Sequence, residues 1–66
     1  MNGKKLKNKL FEVEMTYAQC AKELGISVTT FNYRINGKKP FTIPEVQKLV
    51  SILHLTEEEK KSIFLI

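Results

Sequence analysis

Apolar positions recur at helical spacing in five separate stretches of the chain, and four of these follow a residue suited to cap a helix. Leu6, Leu10 and Val13 fall at i, i+4 and i+7, which predicts an amphipathic helix over about 4–14, its lysines outside and Phe11 widening the apolar face. Thr16 with Gln19 makes a capping box, so a second helix over 17–24 presents Cys20, Ala21 and Leu24 on one face. Gly25 supplies the positive φ that ends it. Ser27 caps a third helix over 28–36, and Ile26 ahead of it is placed to pack on Phe31 as a hydrophobic staple. Gly37-Lys38-Lys39-Pro40 then forms a turn, with Phe41 as a plug for the core. Thr42 and Glu45 box the start of a fourth helix over 43–54, where Pro44 loses no intrahelical bond and Ile43, Val46, Leu49, Val50 and Leu53 form the apolar stripe. A fifth helix over 57–65 opens on the Thr56 and Glu59 box and carries a Glu57–Lys61 pair. The sum is an all-α domain over 1–66 with Leu6, Leu10, Cys20, Ala21, Leu24, Ile26, Phe31, Ile35, Val46, Leu49, Val50 and Leu53 inside. The closing run Ile63-Phe64-Leu65-Ile66 offers more apolar surface than one helix face buries. It closes over its own core or meets a second copy.

Helix, three-residue turn, helix is the arrangement of the helix-turn-helix motif, in which the second helix enters the DNA major groove. The third helix divides by angle accordingly. Taking Val28 as zero, Asn32, Asn36, Thr29 and Tyr33 fall at about 40, 80, 100 and 140°, and Phe31 and Ile35 at about 300 and 340°. Val28, Thr29, Asn32 and Tyr33 are therefore the candidates to read base edges. An asparagine pairs with adenine N6 and N7, and apolar groups touch the thymine methyl, so an A·T-rich half-site is expected. Arg34, at about 240°, lies toward the packed flank, with a stem suited to packing and a head free to reach solvent or phosphate.

The small Ala21, Gly25 in the turn, apolar Ile26 and Phe31, and the exit Asn36-Gly37-Lys38 resemble the helix-turn-helix domain of the lambda-repressor-like (Xre) group, which includes phage repressors and Cro proteins. The likeness is clearest from Met15 to Leu55. It implies a compact five-helix DNA-binding domain whose loop after the third helix lies along the DNA backbone. There Asn36, the free N–H groups from Gly37 on, Lys38 and Lys39 suit phosphate oxygens. The bland alternative for the loop is a solvated basic turn. Tyr17 stands where many relatives carry a glutamine that contacts phosphate or braces a base-reading residue, so its role is phosphate contact or packing. Leu10 and Ile35 stand where many relatives carry an Arg–Glu ion pair, and an apolar pair there is a swap that can be neutral or stabilising.

Charge sharpens the picture. The chain carries a formal +4, and the seven lysines and one arginine before Glu45 face three glutamates, while the rest is nearly balanced. One basic side is the footprint of a surface for a polyanion. A chain this short buries only about 60% of the surface its unfolded form exposes, which leaves little room for an effector domain and favours self-association. Cys20 is the only cysteine and reads as a small buried hydrophobe. His54, the only histidine, sits where it favours the fourth helix dipole. No apolar signal region and no run of about 18 apolar residues occurs, so a cytoplasmic, DNA-associated protein is expected.

These residues point to a sequence-specific regulator of double-stranded DNA, a Cro-like repressor acting by operator occupancy as a homodimer on a pseudo-palindromic site. The alternative is a protein-interaction module on the same fold, such as an antirepressor or antitoxin-like partner working through the apolar C-terminus. An enzyme is not expected: no Gly-rich phosphate loop, metal-ligand cluster or base beside Cys20 is present. Cofactors, metals and small-molecule ligands are likewise not expected.

Overall fold

Five short helices, each opened by a polar side chain on its first turn, make up the architecture of residues 1–65, the part of the chain that the computed structural model describes. They are α1 (Gly3–Glu12), α2 (Tyr17–Leu24), α3 (Val28–Ile35), α4 (Ile43–Ile52) and α5 (Glu57–Phe64). No strand occurs among the described residues. The caps are Asn2, Thr16, Ser27, Thr42 and Thr56, each accepting a backbone N–H three residues on. Those at Thr16, Thr42 and Thr56 are complete capping boxes. Helices of eight to ten residues are too short to persist alone in water, so these caps and the packing of each apolar face act together.

Every helix but α2 stops one or two residues earlier than periodicity suggests, and four of the five stop in the same way. Glu14, Gly25, Gly37 and His54 adopt positive φ of 58, 72, 79 and 52°. The next residue then donates its N–H back into the last turn: Met15 to the Leu10 carbonyl at 2.9 Å, Ile26 to Ala21 at 3.0 Å, Lys38 to Tyr33 at 2.8 Å, Leu55 to Val50 at 3.1 Å. This is the Schellman closure, which satisfies carbonyls the helix leaves unpaired. It ends α1 at Glu12 rather than near 14 and α4 at Ile52 rather than 54, and it makes Asn36 the cap of α3 instead of its last turn.

α2 packs against α3 and α4, while α1 leans on α3 and α5. Leu6, Leu10, Cys20, Ala21, Phe31, Ile35, Leu49, Leu53, Ile63 and Phe64 form the buried core, so Leu10 and Ile35 are both inside. Leu24, Ile26, Phe41, Val46 and Val50 are half-buried around it. Of the closing run, Ile63 and Phe64 close their own core, Leu65 is exposed, and Ile66 lies outside the described residues.

Three apolar side chains depart from expectation. Phe11 is 88% exposed, because it lies about 100° round α1 from Leu10 and no neighbour covers that flank. Val13 falls beyond the helix end and is exposed. Ile43 is 75% exposed, since it starts α4 at about 120° from Leu49, at the open margin of the stripe.

α1 is held close at both ends. A Cβ at Gly3 would stand 2.5 Å from the Ile35 carbonyl oxygen, so only glycine allows this approach of α1 to the end of α3. The Asn2 N–H donates to the Ile63 carbonyl at 2.6 Å, and Lys9 Nζ donates to Glu59 Oε2 at 2.7 Å. That bond, then the backbone N–H of Thr56, holds the Glu59 carboxyl below its usual range. The same bond to Glu59 raises Lys9.

Two measurements check this packing. Leu49→Ala should cost about 2 to 5 kcal/mol as a core truncation, and Gly3→Ala about 1 to 3 kcal/mol as overpacking, both read from denaturant midpoints. A neutral Gly3→Ala would mean that α1 can ride higher over α3. Because the Glu59 pKa is depressed on folding, its contribution is present above the usual carboxylate range and is lost as pH falls through the lower folded value. Glu59→Gln should thus be less stable than the parent at pH 7 and converge with it in acid; parallel stability curves at all pH would exclude the ionic tie.

Candidate nucleic-acid interface

α3 is built as a two-faced rod. Phe31 and Ile35 are fully buried, and the Phe31 ring is flanked by Tyr17 at 5.3 Å and Phe41 at 5.7 Å between centroids, both tilted by about 60°. These contacts fix the rotation of α3 about its own axis. The opposite face carries Val28, Thr29, Asn32 and Tyr33, all exposed, with Tyr33 54% accessible. Thr30 sits at the boundary, its hydroxyl accepting from Ser27 Oγ at 2.9 Å. The expected reading face is thus the outward face of α3.

Tyr17 is half-buried against Phe31, which favours packing over phosphate contact for its ring. Asn36, Gly37, Lys38 and Lys39 are exposed at the end of α3. The N–H groups of Gly37 and Lys38 are not free, however. They donate to the Arg34 and Tyr33 carbonyls at 3.1 and 2.8 Å, because the turn is closed as a helix cap. Of the features expected to suit phosphate there, the two ammonium groups remain, and neither Lys38 nor Lys39 forms an ion pair among the described residues. Asn36 is occupied too: its Oδ1 accepts from Lys7 Nζ at 2.7 Å, and its Nδ2 donates to the Asn32 carbonyl at 2.9 Å and to Asn32 Oδ1.

Arg34 departs most from its expected role. Its guanidinium is committed within the fold: Nη1 donates to Glu45 Oε1 and to the Pro40 carbonyl at 3.1 Å. The side chains are only 17% and 12% exposed, and Glu45 Oε1 also accepts the Thr42 N–H at 2.8 Å. One carboxylate therefore caps α4 and anchors Arg34, which straps the Gly37–Phe41 turn between α3 and α4. The Arg34 Nε is buried without a partner. Lys7 joins this site without any sequence signal to place it here, since it stands 29 residues before Asn36.

Elsewhere the chemistry is sparse. Burial, and then the charge of Glu23, pushes the Cys20 thiol up to about 11. No group of three metal-ligating side chains meets among the described residues, and none of their helices is long and apolar enough to cross a membrane. An open groove of about 790 Å³ lies between the α3–α4 turn, α4 and the end of α5, with Phe41, Ile43, Val46, Val50 and Phe64 among its walls. Comparison of the chain with known protein families, curated proteins and solved structures found no match, so the site is interpreted from its geometry.

Removing the strap separates structure from surface. Arg34→Ala should cost about 1 to 3 kcal/mol by leaving a mostly buried carboxylate oxygen short of a donor, whereas Lys38→Ala should stay within about 0.5 kcal/mol. Equal thermal stability of the two variants would return Arg34 to the surface.

Proposed function

We propose that this chain is a sequence-specific double-stranded DNA-binding regulator of the lambda-repressor-like group, a Cro-like or small phage repressor that acts by occupying its operator as a homodimer. The observation that carries it is the outward face of α3. A helix of eight residues, anchored by two buried side chains, turns Val28, Thr29, Asn32 and Tyr33 to solvent beside the unpaired lysines 38 and 39. Short polar and apolar groups suit base edges, and flexible ammonium groups suit phosphates. Arg34 and Tyr17 serve in this account by holding α3 and its following turn in place. A twofold dimer would present both α3 helices to half-sites about one helical turn apart on one side of the duplex.

The second reading, a protein-interaction module on the same fold, is favoured by one feature, the apolar groove edged by exposed Ile43. Selection of bound DNA from a random pool distinguishes the two. Enrichment of a palindrome supports the first; a chain that enriches nothing is left with the second.

On the selected operator, Lys38→Ala and Lys39→Ala should weaken binding to all sequences alike. Asn32→Ala should lose about 1 to 3 kcal/mol of discrimination at one base pair per half-site, with non-specific binding intact. If a dimer neutralises about six to eight phosphates, log K against log salt should slope near −5 to −7. An asparagine variant that loses affinity equally for every single-base operator variant, or loses none, would remove Val28, Thr29, Asn32 and Tyr33 as the reading face.

A further inference from the structure

The amide groups around the end of α3 form a chain with a fixed direction. Asn36 lies between two groups that leave its orientation no choice. On one side is the Lys7 ammonium, which only donates, and on the other the Asn32 backbone carbonyl, which only accepts. Its Oδ1 must therefore face Lys7, at 2.7 Å, and its Nδ2 must face Asn32, at 2.9 Å from the carbonyl oxygen. The same Nδ2 then meets the Asn32 side chain, which can only offer it Oδ1. Asn32 is left with its own Nδ2 pointing away, and that group donates to nothing among the described residues.

We propose that Lys7 and Asn36 are positioning residues that set the hydrogen-bonding polarity of Asn32, so that Asn32 meets the major groove as a donor and favours guanine over cytosine at its base pair. The assignment rests on the DNA-binding function proposed above and deepens it. A free asparagine amide can turn either end outward, and in pairing with adenine it uses both ends. Here one lone pair of Oδ1 is already engaged by Asn36 and two hydrogens face out. Guanine offers two acceptors, N7 and O6, to those hydrogens and adenine N7 and thymine O4 one each, whereas cytosine offers only the N4 donor, which would oppose them. The outward donor thus adds a preference for guanine over cytosine to the adenine contact expected from asparagine alone, through a chain that reaches a lysine 29 residues upstream.

The direction of the chain can be reversed. In Asn36→Asp the carboxylate still accepts from Lys7, but it cannot donate to Asn32. The Asn32 amide must then turn its Nδ2 inward and its Oδ1 outward, where it accepts from cytosine N4 or adenine N6.

The test is selection of operator DNA from a random pool by the full chain and by its Asn36→Asp, Asn36→Ala and Lys7→Met variants, each with its thermal unfolding curve. The parent should prefer guanine over cytosine at one position per half-site by about 5- to 150-fold. Asn36→Asp should invert that preference to cytosine or adenine while leaving the other positions unchanged, with a uniform loss of affinity from the added negative charge. Asn36→Ala should flatten the preference at that position alone, and Lys7→Met should reduce it in part, since the Asn32 carbonyl still draws Asn36 Nδ2 inward. Should Asn36→Asp fail to fold, those two variants decide. Guanine still preferred to the same degree in the folded variants, or a parent that does not prefer guanine to cytosine there, overturns the positioning role while DNA binding stands. A parent that enriches no sequence overturns the DNA-binding function and this assignment with it.

Discussion

Burial of Phe31 is the constraint on which the rest of the molecule depends. α3 is only eight residues long, and an isolated helix of that length does not hold its shape in water. Phe31 removes its whole side chain from solvent and meets two other rings, each such pair contributing about 0.5 to 1.5 kcal/mol beyond the area it buries. Tyr17 comes from the first turn of α2 and Phe41 from the turn after α3, so one side chain joins the segments before and after its own helix. Small Cys20 and Ala21 are both buried on α2, which lets α3 come near enough for the ring to seat. Once Phe31 is fixed, Ile35 follows one turn later, and the direction of every outward residue on α3 is set.

Charge is partitioned by the same packing. Arg34 and Lys9 look like members of a basic surface when residues are counted, but each is committed to a carboxylate within the fold, Glu45 and Glu59. Such mostly shielded pairs are weak sources of net stability, because desolvation offsets much of their attraction. What they do is fix register: Glu59 ties α5 to α1, and Glu45 ties the start of α4 to the end of α3. At the end of α3 the positive charge that remains uncommitted to a carboxylate is that of Lys7, Lys38 and Lys39.

Features governed by near neighbours in sequence were legible in it. All of the capping boxes are contacts across three residues, and all three formed. The outward face of α3 was legible because its opposite face holds two large apolar residues four apart, which leaves little freedom in the angle. Helix ends at Gly25 and Gly37 were visible for the same local reason, but the equivalent ends at Glu14 and His54 were not, since nothing in those side chains announces a positive φ. Phe11 and Ile43 show a different limit. Periodicity gives the angle of a side chain, and whether anything stands opposite that angle depends on helices far along the chain. Arg34–Glu45 and Lys7–Asn36 are contacts of 11 and 29 residues' separation, for which no short pattern exists.

The stiffness of the side chains around α3 separates two kinds of contact. Val28 and Thr29 are branched at Cβ and largely fixed in χ1 by the helix, Tyr33 has two torsions, and Asn32 is held through Asn36 to Lys7. Such groups lose little rotamer freedom when a partner orders them, so most of the contact they make remains as affinity and depends sharply on what stands opposite. Lys38 and Lys39 are the reverse, long and unpaired, able to follow a phosphate wherever it lies and indifferent to the base behind it. Asn36 belongs to the first group by its bonds and to the second by its position in the turn. It joins the stiff outward face of α3 to the adaptable basic turn, so under the proposed DNA-binding function a change there would alter what the helix reads before it alters how strongly the domain holds a polyanion.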